Sequence, residues 1–167
     1  MTTPSYSKLL PLPEACGLRE SLRRRGGTLV FTNGCFDLLH PGHLDYLARA
    51  RGLGTALYVG LNSDASVRRL GKGPERPVCP EGDRALMLSG LSMIDAVIIF
   101  DEDTPLELIR RLEPDVLVKG GDWRQEDIVG SLEVLTRGGR VHSLPLLPGY
   151  STTSLVERIR GSGGTAA

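Results

Sequence analysis

Apolar residues follow two different spacings along the chain, and the two spacings alternate from the amino to the carboxyl end. Short continuous apolar runs, such as Ala-Val-Ile-Ile-Phe at 96–100, are typical of strands that are covered on both faces. Segments with apolar residues three or four positions apart, such as Leu44, Leu47 and Ala48, predict amphipathic helices. The predicted strands are 28–32, 56–61, 96–100, 115–118 and 140–144. The predicted helices are 14–25, 41–51, 65–70, 81–91, 104–112, 128–137 and 155–159.

The order of these elements predicts an α/β fold. Strands that alternate with helices and are apolar throughout form parallel sheets with helices packed on both faces. We therefore expect a single Rossmann-like, doubly wound sheet of five parallel strands, which binds its ligand beyond the carboxyl ends of the strands. The predicted organisation is an N-terminal tail and helix over 1–27, the main domain over 28–160 and a flexible C-terminal tail over 161–167. Residues 1–13 are expected to form a loose tail.

Composition narrows the functional classes that this chain can belong to. Twenty Lys and Arg residues balance twenty Asp and Glu residues, and 5% of the residues are aromatic, which disfavours nucleic acid as a partner. No apolar stretch approaches the ~18 residues of a membrane span, and the N-terminus has no signal-peptide core. The three cysteines form no CxxC pair. We therefore expect a cytoplasmic protein with no nucleic-acid partner and no membrane association, and we assign no protein ligand to a metal.

The segment after the first predicted strand carries the first chemical signal. The chain has neither a GxGxxG dinucleotide loop after that strand nor a Walker A loop. Instead, residues 32–43 read Thr-Asn-Gly-Cys-Phe-Asp-Leu-Leu-His-Pro-Gly-His, which places His40 and His43 at the start of a predicted helix. The N–H groups and partial positive charge of a helix N-terminus, next to two imidazoles, suit phosphate oxygens. An isolated histidine more often caps or packs locally, but the whole segment favours phosphate binding.

Two short motifs resemble the signatures of a known family. Gly34-Cys-Phe-Asp37 followed by His40-Pro-Gly-His43 resembles the GxFD and HxGH signature of the cytidylyltransferase-like nucleotidyltransferases. Ser-Thr-Thr-Ser at 151–154 resembles the second signature of that family, I-S-T-[ST]. Class I aminoacyl-tRNA synthetases share the first signature, but they are far longer and carry a KMSKS loop, which this sequence lacks.

Within this family, the likeness is greatest to the D-glycero-β-D-manno-heptose 1-phosphate adenylyltransferases. It rests on 62–70, 100–106, 114–123 and 151–153 in addition to the first motif, and it spans about 28–160. In many relatives a sugar kinase is fused to this domain, whereas here we expect the transferase domain alone.

The residues and this resemblance together assign expected roles around one site. His40, His43 and Lys72 are the expected catalytic residues, with Lys72 in a glycine- and proline-rich loop that closes over the phosphates. The resemblance places nucleotide recognition at Lys119-Gly-Gly-Asp-Trp123. The expected nucleotide-binding residues are Thr32, Asn33, Gly34, Cys35, Phe36, Gly42, His43, Lys119, Gly120, Asp122, Ser151, Thr152 and Thr153. The expected substrate-binding residues are Asp37, Asn62, Asp64, Lys72 and Arg84.

Several of these residues also have a simpler structural explanation. The hydroxyls at 151–154, taken alone, are equally typical of a helix N-cap. The segment 119–123 is also compatible with a tight turn that carries a structural tryptophan. Asn62 and Asp64 suit a helix cap as well as a sugar contact, and Lys72 and Arg84 are compatible with solvated surface positions.

The resemblance implies transfer of AMP from ATP to D-glycero-β-D-manno-heptose 1-phosphate, which gives ADP-heptose and pyrophosphate. Mg²⁺, held mainly by the triphosphate, is the expected cofactor, and the two small-molecule substrates are the expected partners. Two alternatives stay open at this point: a cytidylyltransferase for a polyol phosphate such as glycerol 3-phosphate, and a catalytically silent nucleotide-binding module. The sequence does not determine the oligomeric state, and a homodimer is the assembly we consider.

Overall fold

Five parallel strands form the centre of the molecule in a computed structural model that describes residues 8–71 and 73–162. The strands are β1 (Leu29–Gly34), β2 (Ala56–Asn62), β3 (Ala96–Phe100), β4 (Val116–Gly120) and β5 (Arg140–Leu144). The helices are α1 (Leu12–Arg24), α2 (Pro41–Arg51), α3 (Asp64–Arg69), α4 (Glu81–Ser89), α5 (Leu106–Leu112), α6 (Ser131–Thr136) and α7 (Thr152–Ser162). A short 3₁₀ helix spans Gln125–Asp127. The predicted α/β class with five parallel strands is therefore confirmed.

The strand order in the sheet is β3-β2-β1-β4-β5. The chain moves outward from β1 to β3, and then returns to the other side of β1 to add β4 and β5. Val30 and Phe31 of β1 lie opposite Val116 and Leu117 of β4. The crossover direction reverses between these two strands, and doubly wound sheets open a ligand crevice at that point.

Apolar side chains cover both faces of the sheet. On one face, Leu22, Ile109 and Val134 bring α1, α5 and α6 against the strands. On the other face, Leu47 and Leu88 do the same for α2 and α4. Burying one such side chain contributes roughly 1.5–3 kcal/mol, so several of them fix each layer to the sheet. The expected helices on both faces are confirmed.

Part of the segment that was expected to be a loose tail lies along the edge of the sheet. The amide of Leu10 donates to the carbonyl of Val97 at 3.0 Å, and the amide of Val97 donates to the carbonyl of Lys8 at 2.7 Å. β3 is an edge strand, and its outer backbone groups need partners, which residues 8–10 supply. The expectation is thus wrong for the residues just before α1, while residues 1–7 lie outside the described part of the chain.

Every helix except α2 differs in extent from the prediction, and for two of them the structure shows a local cause. The helix expected over 128–137 is confined to α6, because Gly130 has a φ of 84° and a Cβ atom there would lie 2.5 Å from Cδ1 of Ile109. The last helix begins three residues earlier than expected, because the Ser151 hydroxyl accepts a hydrogen bond from the Ser154 amide at 3.0 Å. Gly161 and Ser162 of the predicted tail belong to α7, and 163–167 lie outside the described residues. Among the described helices, none has the length and apolar character required to cross a membrane.

Candidate active site

A cavity of about 290 Å³ opens at the switch point between β1 and β4. The carboxyl ends of these two strands, the first turns of α2 and α7, and the loop before α4 form its walls. Its lining residues are Asn33, Gly34, Cys35, Phe36, Asp37, His43, Tyr46, Arg76, Lys119, Gly120, Trp123, Leu146 and Thr152. The fold therefore brings the two motifs, more than one hundred positions apart in sequence, to one place.

The two predicted histidines form a stacked pair at the beginning of α2. Their ring centroids are 3.9 Å apart with an interplanar angle of 20°. His40 is the extended residue before the helix, and Pro41 occupies its first position, where no N–H is needed. The ring of Phe36 lies 5.2 Å from that of His43, and the ring of Tyr150 lies 6.3 Å from that of His40. Aromatic rings thus hold the pair from both sides.

Both imidazoles are neutral near pH 7. Burial lowers the pKa of His40 below its usual 6.5. Burial, and then the neighbouring His40, lower the pKa of His43 to about 4, although the backbone at Leu38 opposes this shift. The Nδ1 atoms of both rings are buried without a hydrogen-bond partner among the described residues. A buried polar atom without a partner is costly, so the pair is suited to a polar ligand that approaches it.

Gly42 provides the space that this arrangement needs. A Cβ atom on Gly42 would lie 3.1 Å from Nδ1 and Cε1 of His40 and 3.2 Å from Cβ of Tyr150. Any side chain at this position would therefore push against the His40 ring.

Tyr46 forms part of the cavity wall next to His43. Its hydroxyl shares a short hydrogen bond with the hydroxyl of Thr32 and donates to the carbonyl of Val118 at 3.3 Å. Burial raises the pKa of Tyr46, so the phenol stays protonated. Thr32 is fully buried, and it therefore supports the cavity wall from behind instead of lining it.

Asp37 faces the loop before α4. Its carboxylate accepts hydrogen bonds from the amides of Val78, at 2.9 and 3.0 Å, and Cys79, at 2.9 Å, and forms a short ion pair with Nε of Arg76. Burial alone would raise the pKa of this carboxyl, but the Cys79 and Val78 amides and the Arg76 guanidinium together lower it. The Asp37 side chain has no exposed surface, so its contacts are with the loop.

Arg84 lies beneath the cavity and is 1% exposed. It donates to the carbonyls of Cys35 at 2.6 Å, Asn62 at 2.9 Å and Cys79 at 2.9 Å, and it pairs with Asp64 at 2.7 Å. The surface explanation of Arg84 is therefore wrong. Its contacts tie the ends of β1 and β2 to the loop, and none of Asn62, Asp64 and Arg84 lines the 290 Å³ cavity.

The first turn of α7 closes another side of the cavity. Thr152 lines the cavity, whereas Ser151 and Thr153 are exposed. The Ser151 hydroxyl caps the helix by accepting from the Ser154 amide. The expected cap is therefore present at Ser151, and Thr152 is the hydroxyl that the structure places at the cavity.

The end of β4 forms the opposite wall. Lys119 and Gly120 line the cavity, and a Cβ atom on Gly120 would lie 2.9 Å from Cδ2 of Leu146. The indole N–H of Trp123 donates to the Gly120 carbonyl at 3.1 Å, which fixes the half-exposed ring at the cavity edge. Asp122 is exposed and lies outside the lining.

Three lining residues were not assigned a role from the sequence, namely Tyr46, Arg76 and Leu146, and Trp123 entered only as the last residue of the segment 119–123. A signal existed for Tyr46, because it follows His43 by three positions on one helix and therefore shares its face. No periodic pattern marks Arg76 or Leu146, since both lie in loops. Lys72, the third expected catalytic residue, lies outside the described residues.

Metal ligands are scarce around the cavity. The described residues contain no group of three or more His, Cys, Asp and Glu side chains that could hold an ion. The nearest carboxylate, Asp37, already accepts from Arg76 and two amides. Mg²⁺ at this site would therefore depend on phosphate oxygens for most of its ligands.

Residues 31–158 match a family model described as Cytidylyltransferase-like. A bifunctional protein HldE from Syntrophotalea carbinolica is 60% identical over 149 residues, which cover 85% of this chain and 30% of that protein. The bifunctional protein HldE from Geotalea uraniireducens is 53% identical over 156 residues, which cover 93% of this chain and 32% of the relative. The chain thus spans about 30% of the length of these curated relatives.

Two solved structures share the fold. The lipopolysaccharide core biosynthesis protein from Thermoplasma volcanium superposes with a TM-score of 0.61 at 27% identity, covering 73% of this chain and 98% of that protein. Pantoate-β-alanine ligase from Francisella tularensis gives a TM-score of 0.59 at 11% identity, covering 91% of this chain and 76% of the ligase. The second likeness shows the architecture only.

Proposed function

We infer the function of this chain from its family, because the chain belongs to the cytidylyltransferase-like nucleotidyltransferases. The proposed reaction transfers AMP from ATP to D-glycero-β-D-manno-heptose 1-phosphate and releases pyrophosphate. The observation that carries the proposal is the stacked pair His40 and His43, which lies at a helix N-terminus beside a cavity whose other walls are the second family motif and the end of β4. The choice of heptose rests on the identity to the HldE proteins and to the lipopolysaccharide core biosynthesis protein.

The nucleophile in this reaction is a phosphate oxygen of the sugar 1-phosphate. Its second pKa is ~6, so it is mostly a dianion at pH 7 and no general base is needed. The oxygen attacks the α-phosphorus of ATP, a new P–O bond forms, and the bond from the α-phosphorus to the bridging oxygen of pyrophosphate breaks. No proton has to be removed, and catalysis depends on bringing two polyanions together and stabilising the charge that develops.

The proposed roles follow from the position of each group. The imidazole N–H groups of His40 and His43 and the amide of Gly42 at the start of α2 donate to the α-phosphoryl oxygens, because the amides of the next two residues already donate to the His40 carbonyl. The start of α7, with Thr152, binds the β- and γ-phosphates, as helix N-termini commonly do. The end of β4, at Lys119 and Gly120, contacts the nucleoside. The phosphates would hold most of the coordination of a Mg²⁺ ion, which would neutralise part of their charge. The role of Lys72 in bridging the two substrates stays a prediction.

The test is a substrate matrix read by pyrophosphate release. We expect ATP with D-glycero-β-D-manno-heptose 1-phosphate to give the highest kcat/KM among ATP, CTP and GTP paired with heptose 1-phosphate and glycerol 3-phosphate. A preference for CTP with glycerol 3-phosphate would favour the polyol-phosphate alternative. Nucleotide binding without pyrophosphate exchange in any pairing would favour the silent module.

Two further expectations belong to the same proposal. Both substrates are metabolites of the cytoplasm, which is where we place the activity. The homodimer stays a prediction, and sedimentation velocity measured across a range of protein concentrations tests it.

A further inference from the structure

The loop that follows α3 is tied to the cavity through one buried carboxylate. The Asp37 carboxylate accepts hydrogen bonds from the amides of Val78 and Cys79 and from the Nε–H of Arg76. All three donors come from the same short stretch of the loop, and the Asp37 side chain has no exposed surface. Every contact that the structure gives this carboxylate therefore serves to hold the loop.

The residue before Asp37 has an unusual backbone conformation. Phe36 has a φ of 43°, in the left-handed region that aromatic residues rarely adopt. Its ring is buried, and it lies beside His43 at a centroid distance of 5.2 Å. Such conformations persist where the surrounding structure requires them, and here the turn at Phe36 directs Asp37 under the loop.

Arg76 occupies a position at the cavity that sequence reasoning did not assign. Its side chain is 10% exposed and lines the cavity together with His43 and Lys119. Within the described part of the chain, its hydrogen bond and ion pair run through Nε to Asp37. The two terminal nitrogens therefore stay available for a ligand, and guanidinium geometry matches two phosphate oxygens at once.

We infer that Arg76 binds a phosphate group of the substrates and that Asp37 is the residue that positions it. This inference rests on the proposed function for the identity of the phosphate-bearing ligands. The opposite assignment, Asp37 as a direct ligand of the sugar phosphate, conflicts with the chemistry. A carboxylate would repel the phosphate, and this one already accepts from three donors. The hydrogen bond from Nε to Asp37 fixes the guanidinium group of Arg76 at the cavity wall before substrate binds. Less side-chain conformational entropy is therefore lost on binding.

The experiment compares Arg76 with a second ion pair on the same loop. Glu75 is exposed and pairs with Arg160 of α7 at 3.2 Å, outside the cavity. Glu75→Gln therefore breaks a tether of this loop without removing a cavity cation, and it is the matched control for Arg76→Ala. Arg76→Lys keeps the charge and loses the fork, and Arg76→Gln supplies a second neutral variant if the alanine variant does not fold.

Two measurements apply to each variant: calorimetric binding of inorganic pyrophosphate and of ATP, and steady-state kinetics with both substrates. We expect Arg76→Ala to weaken pyrophosphate binding at least tenfold and to lower kcat/KM by ~10², by analogy with the loss of one charge-stabilising donor. Arg76→Lys should recover part of the pyrophosphate affinity, and Glu75→Gln should match the wild-type protein.

The positioning role of Asp37 has a separate readout. Asp37→Asn should lower kcat/KM at least tenfold in the wild-type background and less than threefold when Arg76 is already alanine. If Asp37 only supported the fold, Asp37→Asn would lower kcat/KM by the same factor in both backgrounds. That result would overturn the positioning role.

The outcomes separate this inference from the proposed function. If Arg76→Ala binds pyrophosphate and turns over like Glu75→Gln, or if the wild-type protein does not bind pyrophosphate, Arg76 is not a phosphate ligand, whatever reaction the protein catalyses. If no sugar phosphate yields product but Arg76→Ala still weakens pyrophosphate binding, the proposed function fails and the role of Arg76 stands.

Discussion

The two ends of the same parallel sheet each carry a cavity, and helices meet the two cavities with opposite ends. The cavity at the carboxyl ends of the strands has a volume of about 290 Å³, and a second cavity at the amino ends has about 520 Å³. Helices α2 and α7 begin at the first cavity, whereas α1, α5 and α6 end at the second. Helix N-termini carry partial positive charge and C-termini partial negative charge, so the smaller cavity is the one suited to phosphates.

Two arginines at the larger cavity, Arg19 and Arg23, pair with groups of the protein, although Nη1 of Arg19 is buried without a partner among the described residues. Arg19 is 3% exposed and donates to the carbonyls of Leu112 at 3.3 Å and Glu113 at 2.9 Å, at the end of α5. It also pairs with Asp115 at 2.8 Å, and Arg23 pairs with Glu113 at 2.8 Å. These side chains cap the end of α5 and form ion pairs with one another. The larger volume of this cavity therefore does not by itself identify it as the active site.

The largest expected effect is at the carboxyl-end cavity. His43→Ala should lower kcat by ~10²–10³ with a smaller change in the KM for nucleotide, because the donor acts where charge develops in the transition state. Steady-state kinetics against both substrates measure this. Turnover near the wild-type rate would remove His43 from the proposed chemistry and weaken the contrast between the two ends.

A structural effect of similar size is expected at the other end. Arg19→Met should lower the free energy of unfolding by roughly 2–3 kcal/mol, because it leaves the α5 carbonyls and Asp115 without their partner. Urea denaturation measures the loss, and kcat/KM of the folded protein should stay unchanged. A fall in kcat/KM with normal stability would mean that the amino-end cavity takes part in the reaction.

Acid should affect the carboxyl-end cavity through His43. Its pKa is about 4 in the folded protein against 6.5 for an unperturbed histidine, so the unfolded chain takes up a proton first as the pH falls. The contribution of His43 to stability is therefore complete above about pH 6.5 and is lost as the pH falls towards 4. His43→Gln should flatten the pH dependence of the unfolding free energy over this window. An unchanged profile would show that His43 is not held neutral by its surroundings.

The smallest effect is expected for an exposed arginine at the amino-end cavity. Arg137→Ala should leave kcat/KM within about twofold of the wild-type value and the unfolding free energy within ~0.5 kcal/mol, as is usual for surface substitutions. A loss of kcat/KM beyond tenfold would identify the larger cavity as a substrate site.

Local elements were determined by the sequence itself. The predictions for α2, β3 and β5 agree with the structure residue by residue. For α2 the reason is that both boundaries are marked locally, by Pro41 at the start and Gly52 after the end. The two motifs were also visible directly, because each is a contiguous segment.

The tertiary structure decided which distant residues meet. Asp37 was expected to bind the substrate, yet its partners in the structure lie 39 to 42 positions away in a loop without periodic pattern. Arg84, which the sequence allowed at the surface, is buried because four acceptors from separate segments surround it. Leu146, which follows β5, reaches the cavity because β5 lies beside β4 in the sheet.

The physical reason lies in the different range of the two kinds of interaction. Hydrophobic periodicity and helix-terminating residues act within about ten positions, so they can be recognised in a linear pattern. A buried charge is stable only where donors and acceptors converge on it in the folded interior, and strand order and loop closure determine which ones do. The sequence by itself therefore determined the order of the elements and the residues of the two motifs, whereas the pairing of Asp37 with Arg76 was decided only by the folded chain.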